Sequence, residues 1–139
     1  MVDIYWAAPL HEKSVQAANG RAVYMFRKEG YNVYLPQEHG VVEEVLKQFD
    51  NDKTKAKPYF YKLDVIAMNR CDVCIVYHSR KEAPSEGQLF EMGYMKGQGK
   101  PIIVINESEW DFGLMIEYGA DFYCNSIEEA LAFMKNEGF

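Results

Sequence analysis

Hydrophobic and polar positions along the chain alternate between two periods. Apolar runs bounded by turn residues at Asp3–Ala7, Asn32–Leu35, Asp72–Tyr77, Pro101–Ile105 and Ala120–Cys124 predict five strands. Between them, apolar residues recur at helical spacing. Glu12–Glu29 carries Val15, Ala18, Ala22, Met25 and Phe26, with Gly30 as its stop signal. Val41–Phe49 predicts a shorter helix. Pro58–Arg70 has Leu63, Ile66 and Ala67 on one face, Glu86–Lys96 has Leu89, Phe90 and Gly93, and Ser126–Asn136 has Ile127, Ala130, Leu131 and Met134. Strands alternating with helices predict an α/β fold: a doubly wound, flavodoxin-like five-stranded parallel sheet with helices on both faces and right-handed crossovers. No internal repeat or linker interrupts this pattern, so residues 1–139 are expected to form a single domain. The polar stretch Asp50–Lys57 predicts a solvated loop over the site, because the glycine and twelfth-position glutamate of a calcium loop are missing.

Charge and cysteine content narrow the possible partners. Acidic residues outnumber basic ones 21 to 15, a net charge of −6 that opposes non-specific attraction to nucleic-acid polymers or anionic membranes. No apolar run reaches the roughly 18 residues that span a bilayer, and Met1–Ile4 leads directly into a strand without signal-peptide features. A cytoplasmic location is therefore expected. Cys71 and Cys74 form a Cys-x-x-Cys, but it opens the apolar run Val73–Tyr77 instead of a helix, so buried free thiols are expected there and at Cys124. His11, His39 and His78 share no ligand spacing with the cysteines, and neither a metal nor a cofactor is expected.

In an open α/β sheet, ligands bind beyond the carboxyl ends of the strands where strand order reverses. For the flavodoxin-like order that crevice lies at Tyr5–Leu10 and at His78–Gly87. Neither loop has a Gly-x-Gly-x-x-Gly or Walker signature, so no dinucleotide or nucleoside triphosphate is indicated. The segment Ser85–Tyr94 is the most informative. Ser85 followed by Gln88 predicts a capping box, which places Glu91 in the second helical turn. Its neighbours at helical spacing are Gly87, Tyr94 and Met95, a small and aromatic ridge in which Gly87 leaves room for a ligand. An exposed glutamate is the usual fate of this residue type, and Asp64 on the preceding helix is equally readable as solvated. Should both converge at the strand ends, one carboxylate can attack a glycosidic carbon while the other handles the proton.

Several pieces together carry a resemblance. They are Ile4–Leu10, Leu35–Glu38, the pair Asp64 and Asp72, Gly87-x-x-x-Glu91-x-Gly93-Tyr94, Gly99–Ile103 and Leu114–Ile116. In this order and spacing they resemble the nucleoside 2-deoxyribosyltransferases, most of all the purine-preferring members. The resemblance implies a transferase exchanging nucleobases on 2′-deoxynucleosides. Glu91 would be the nucleophile forming a deoxyribosyl-glutamate, Tyr5 the phenol orienting it, and Asp64 the donor to the departing base. It further implies substrate contacts at Ala7, Pro9, Gln37, Ser85, Gly87 and Met115, a 2′-deoxynucleoside and a free nucleobase as partners, and a homodimer or higher homo-oligomer.

Two departures keep alternatives open. Ser85 stands where transferases often have an aspartate, as in the related deoxynucleoside 5′-monophosphate N-glycosidases, although the first loop lacks a glycine, serine and arginine cluster for phosphate. Gly113 replaces an asparagine or serine that reaches a neighbouring subunit's site, leaving Asp111 or Trp110 as substitutes. A non-catalytic sensor of a nucleotide derivative is the third reading, because one α/β scaffold hosts many functions.

Overall fold

The computed structural model describes residues 1–39 and 43–139. The strands are β1 (Asp3–Ala7), β2 (Asn32–Tyr34), β3 (Val73–His78), β4 (Ile102–Asn106) and β5 (Phe122–Cys124). All pair in parallel in the order β2-β1-β3-β4-β5. Every residue of β3 and β4 is buried, as a parallel sheet covered on both faces requires. The helices are α1 (Lys13–Lys28), α2 (Glu43–Lys47), α3 (Lys53–Arg70), α4 (Glu86–Gly97), α5 (Leu114–Gly119) and α6 (Ile127–Asn136). A 3-10 turn at Pro36–Glu38 follows β2.

Side-chain alternation along β1 divides the core. Ile4 and Trp6 point into the layer shared with α1 and α6, where the Trp6 ring meets Phe26 at 5.4 Å and Tyr77 at 5.2 Å. Tyr5 and Ala7 point into the opposite layer with Ala67, Met68, Met92 and Met95 of α3 and α4. Each large aliphatic side chain buried this way contributes on the order of 1.5–3 kcal/mol, so both layers hold the sheet. Cys71, Cys74 and Cys124 are free and buried within these layers. Burial raises all three thiols, Cys124 to about 11.

The ends of the elements follow local chemistry. Gly30, with φ +94°, supplies the left-handed residue that closes α1. Ser126 caps α6 by accepting from the Glu129 amide at 3.1 Å. Lys100 Nζ donates to the carbonyls of Met68 (2.6 Å) and Asn69 (2.9 Å), closing the last turn of α3.

The largest departure from the sequence reading lies before Pro58. Residues 53–57 are helical, not loop, so α3 starts five residues earlier than Pro58 suggests. The Asp52 carboxylate accepts from the amides of Thr54 (2.9 Å) and Lys55 (3.4 Å), a local cap that outweighs the missing amide hydrogen of Pro58. The helix expected from Val41 is described from Glu43 and ends at Lys47; Val41 itself lies outside the described residues. The short α5 completes the alternation between β4 and β5.

Asp52→Ala should destabilise the fold by about 1 kcal/mol, read as a lower urea midpoint. An unchanged midpoint would return residues 53–57 to the solvated loop inferred from sequence.

Candidate active site

Strand order reverses between β1 and β3, and a cavity of about 570 Å³ opens beside that crevice. Its wall includes Ala8, Leu10 and His11 from the loop after β1, Gln37 and His39 beyond β2, Phe60, Leu63 and Asp64 of α3, and Ser85, Gly87, Gln88 and Glu91 at the start of α4. Apolar walls with a few convergent polar groups are the usual make-up of a small-molecule site.

The capping box sets the position of Glu91. Ser85 Oγ accepts from the Gln88 amide and Gln88 Oε1 accepts from the Ser85 amide, both at 3.2 Å. The buried Gln88 also donates through Nε2 to the Tyr77 carbonyl at 2.9 Å, tying the first turn of α4 to the end of β3. One turn further on, Glu91 comes over β1. There the Tyr5 hydroxyl donates to Glu91 Oε2, leaving Oε1 as the oxygen free of protein donors among the described residues.

A parallel arrangement holds the second carboxylate. Tyr34, the β2 partner of Tyr5 in the sheet register, donates its hydroxyl to Asp64 Oδ1 at 2.9 Å. The two phenol rings stack at 5.5 Å, and His39 stacks on the outer face of Tyr34 at 4.5 Å and 4°. Two carboxylates from different helices thus meet one cavity, each held by a tyrosyl hydroxyl from neighbouring strands.

Removal from water governs the charge of both acids. Burial pushes the Glu91 carboxyl up to about 8; the Tyr5 hydrogen bond opposes this and the Asp64 charge adds to it. Asp64 is also raised, chiefly by burial, against a downward pull from Tyr34 and then His39. Tyr5 and Tyr34 are driven upward by burial and by these carboxylates, so both stay hydrogen-bond donors across the working pH range. The site therefore favours holding a proton on a carboxyl, the condition for one acid to donate while the other attacks.

Of the residues singled out from sequence, Tyr5, Asp64 and Glu91 come together, and Gln37, Ser85 and Gly87 line the same cavity. A Cβ built on Gly87 meets nothing within 4 Å, so the space beside Glu91 is open. Gln37 is more constrained than a free base-reading amide: its Oε1 accepts from Asn19 Nδ2 at 2.9 Å and its Nε2 donates to the Gln16 carbonyl at 2.9 Å. Ala7 and Pro9 are not in the wall. Strand alternation directs Ala7 into the α3/α4 core layer, and buried Pro9 offers its carbonyl to Asn19 at 3.0 Å. Met115 is 76% exposed on α5 and lies outside the wall as well.

Tyr34, His39 and Asn19 were not singled out as site residues. Asn19 had a signal, since an asparagine sits among Val15, Ala22, Val23 and Phe26 on the buried face of α1. It is wholly buried and ties the first loop to the 3-10 turn through Pro9 and Gln37. Tyr34 and His39 join the site only through stacking across elements, which has no sequence period. His11 and His39 line the cavity, whereas His78 is buried at the end of β3, its Nε2 2.8 Å from the Glu82 carbonyl. Among the described residues no group of three or more His, Cys, Asp or Glu could hold a metal.

A sequence profile described as nucleoside 2-deoxyribosyltransferase matches residues 4–123. The chain belongs to this family. Membership places it among enzymes that act on nucleosides, as transferases or N-glycosidases. A search of curated proteins returns no significant match. Solved structures share the nucleoside 2-deoxyribosyltransferase fold at low identity. The 2-deoxyribosyltransferase of Bacillus psychrosaccharolyticus aligns with a TM-score of 0.74 and 20% identity over 93% of this chain and 90% of its own. That of Leishmania mexicana gives 0.66 and 17% over all of both chains. The CMP N-glycosidase of Clostridium botulinum gives 0.61 and 16% over 96% and 98%. No helix of this family member, among its described residues, is long and apolar enough to cross a membrane.

The raised Glu91 carboxyl has a consequence for stability. A folded-state value of about 8 against the ordinary 4.5 means the folded protein binds this proton more tightly than the unfolded chain. Its contribution is present below pH 4.5 and is lost as pH rises to about 8. Urea titrations should show wild-type stability falling by about 1 kcal/mol or more across that window, with Glu91→Gln reducing the fall to the part that the raised Asp64 contributes. Tyr5→Phe, which deletes the one opposing hydrogen bond, should move its upper end to higher pH. Identical pH profiles for wild type and Glu91→Gln would show that Glu91 is not held in a dry site.

Proposed function

We propose that the protein is a nucleoside 2-deoxyribosyltransferase that exchanges nucleobases on 2′-deoxynucleosides through a covalent deoxyribosyl-glutamate. The observation that carries this reading is Glu91 on the cavity wall with one oxygen held by Tyr5 and Asp64 on the same wall. With the proton on Asp64 and Glu91 ionised, a form that the Tyr5 hydrogen bond favours, Glu91 Oε1 attacks the anomeric carbon as the N-glycosidic bond breaks. The bond's electron pair passes to the base nitrogen, and Asp64 supplies the proton that makes the base a neutral leaving group. A second base then displaces Glu91 from the anomeric carbon and returns its proton to Asp64, giving net retention. Tyr34 supports this by occupying Asp64 Oδ1, which leaves Oδ2 for the proton. Lacking a 2′-hydroxyl, deoxyribose better tolerates positive charge at the anomeric carbon. Phe60 and Leu63 offer apolar surface to a base on the Asp64 side, and Ser85, whose hydroxyl hydrogen is not used by the cap, faces the sugar side.

The cavity-facing start of α4 favours a second reading, hydrolysis of a nucleoside 5′-monophosphate. Ser85 and the backbone at Gly87 stand at a helix N-terminus open to solvent, where an anion is stabilised. Incubating the protein with a deoxynucleoside or its monophosphate, with and without an acceptor base, separates the readings by product. Under the first, Glu91→Ala abolishes exchange while circular dichroism is unchanged, and Asp64→Asn lowers kcat about 10²–10⁴-fold. Exchange retained by Glu91→Ala would remove the covalent mechanism.

A homodimer or higher homo-oligomer is part of the same proposal. The short α5 buries none of its residues, and Leu114, Met115 and Tyr118 are 69%, 76% and 80% exposed. A second copy of the chain is the occupant proposed for this apolar face, because association by like faces is the commonest closed symmetry. Light scattering on the eluted protein should give a dimer or a multiple of it, and Tyr118→Asp should shift it to monomer. A monomeric wild type ends this part of the proposal.

A further inference from the structure

Helix α3 presents Lys53, Lys57, Phe60 and Asp64 to the cavity. Successive members are three or four residues apart, so they form one stripe along the helix. At about 1.5 Å per residue, Lys57 lies about 10 Å and Lys53 about 16 Å from Asp64 along the axis. The apolar Phe60 occupies the interval. The stripe therefore passes from a carboxylate, over a surface suited to a flat ring, to two ammonium groups.

These lysines sit in an electrostatically unfavourable place. The Asp52 carboxylate at the N-cap already offsets the partial positive charge of the first turn, but Lys53 and Lys57, four residues apart, place two like charges on one face of α3. Lys55, between them and off the stripe, is paired with Asp50 at 3.3 Å. Lys53 and Lys57 make no ion pair or side-chain hydrogen bond among the described residues, although the protein as a whole is acidic. An anion arriving in the cavity would relieve the mutual repulsion of the pair. The two acids of the site, Asp64 and Glu91, are held at the other end, so an acidic substrate has one favoured orientation.

We propose that Lys53 and Lys57 form a subsite for an anionic group on the nucleobase, so that the cavity selects bases bearing a carboxylate or an ionised edge over neutral ones. The assignment to the base rests on the transferase reading, in which the sugar lies at Glu91 and the base at Asp64. A base stacked on Phe60 then directs its far edge toward the N-terminus of α3, within the sweep of the flexible lysine stems.

Calorimetric binding of purine-6-carboxylate, neutral hypoxanthine and a deoxynucleoside 5′-monophosphate tests this without requiring turnover. Wild type should bind the carboxylated purine about tenfold or more tighter than the neutral one, with an advantage that shrinks as salt rises. The doubly substituted Lys53→Ala, Lys57→Ala protein should lose that advantage and keep its affinity for hypoxanthine, whereas Lys55→Ala, with one charge removed off the stripe, should retain it. Equal or undetectable affinities in wild type, or an advantage that survives the double substitution, would overturn the subsite. So would a double variant that loses affinity for the monophosphate alone, since the pair would then serve the sugar's 5′ end. A carboxylate preference in a protein without base exchange keeps the subsite and removes the transferase; base exchange without the preference does the reverse.

Discussion

The hydrogen bond from the Tyr5 hydroxyl to Glu91 joins the sheet to the cavity. It requires a phenol on the α3/α4 side of β1 and a carboxylate in the second turn of α4, so strand alternation and helix start must agree within one residue. The capping box of Ser85 and Gln88 sets that start, and the Gln88 side chain fastens it to β3. A dry carboxylate is unfavourable as an anion and tolerable as an acid or with a donor. Glu91 has the donor, and the rest of the cavity determines how often it has the proton.

A second constraint is the stacked trio Tyr5, Tyr34 and His39. Parallel pairing of β1 with β2 puts Tyr34 directly beside Tyr5, so the two phenols present their hydroxyls toward different helices. The result is two acids in one small volume, each tethered, with desolvation lifting both. Such a pair resists holding two negative charges at once.

Strand order, the two helical layers and the start of α4 were legible because each is written as a local period or a cap. Glu91 and Asp64 were legible as candidates through helical spacing against apolar neighbours, and the family resemblance supplied Tyr5. What escaped was set by contact across elements. Pro58 suggested a helix start, but the Asp52 carboxylate caps six residues upstream, so Lys53 and Lys57 belong to the helix wall of the cavity. Ala7 was adjacent in sequence to the crevice yet turned into the core by strand alternation, whereas Ala8 reaches the wall. Gln37 lay in the right place, and only the fold shows Asn19 and Gln16 occupying its amide.

The three buried cysteines carry a practical consequence. Each is sealed in the core with its thiol held in the protonated, unreactive form. Cys74 is the β3 partner of Tyr5 in the sheet register and lies in the same core layer. A maleimide or an oxidant therefore meets no thiolate until the structure around a cysteine opens, which makes alkylation a built-in clock for opening of the core.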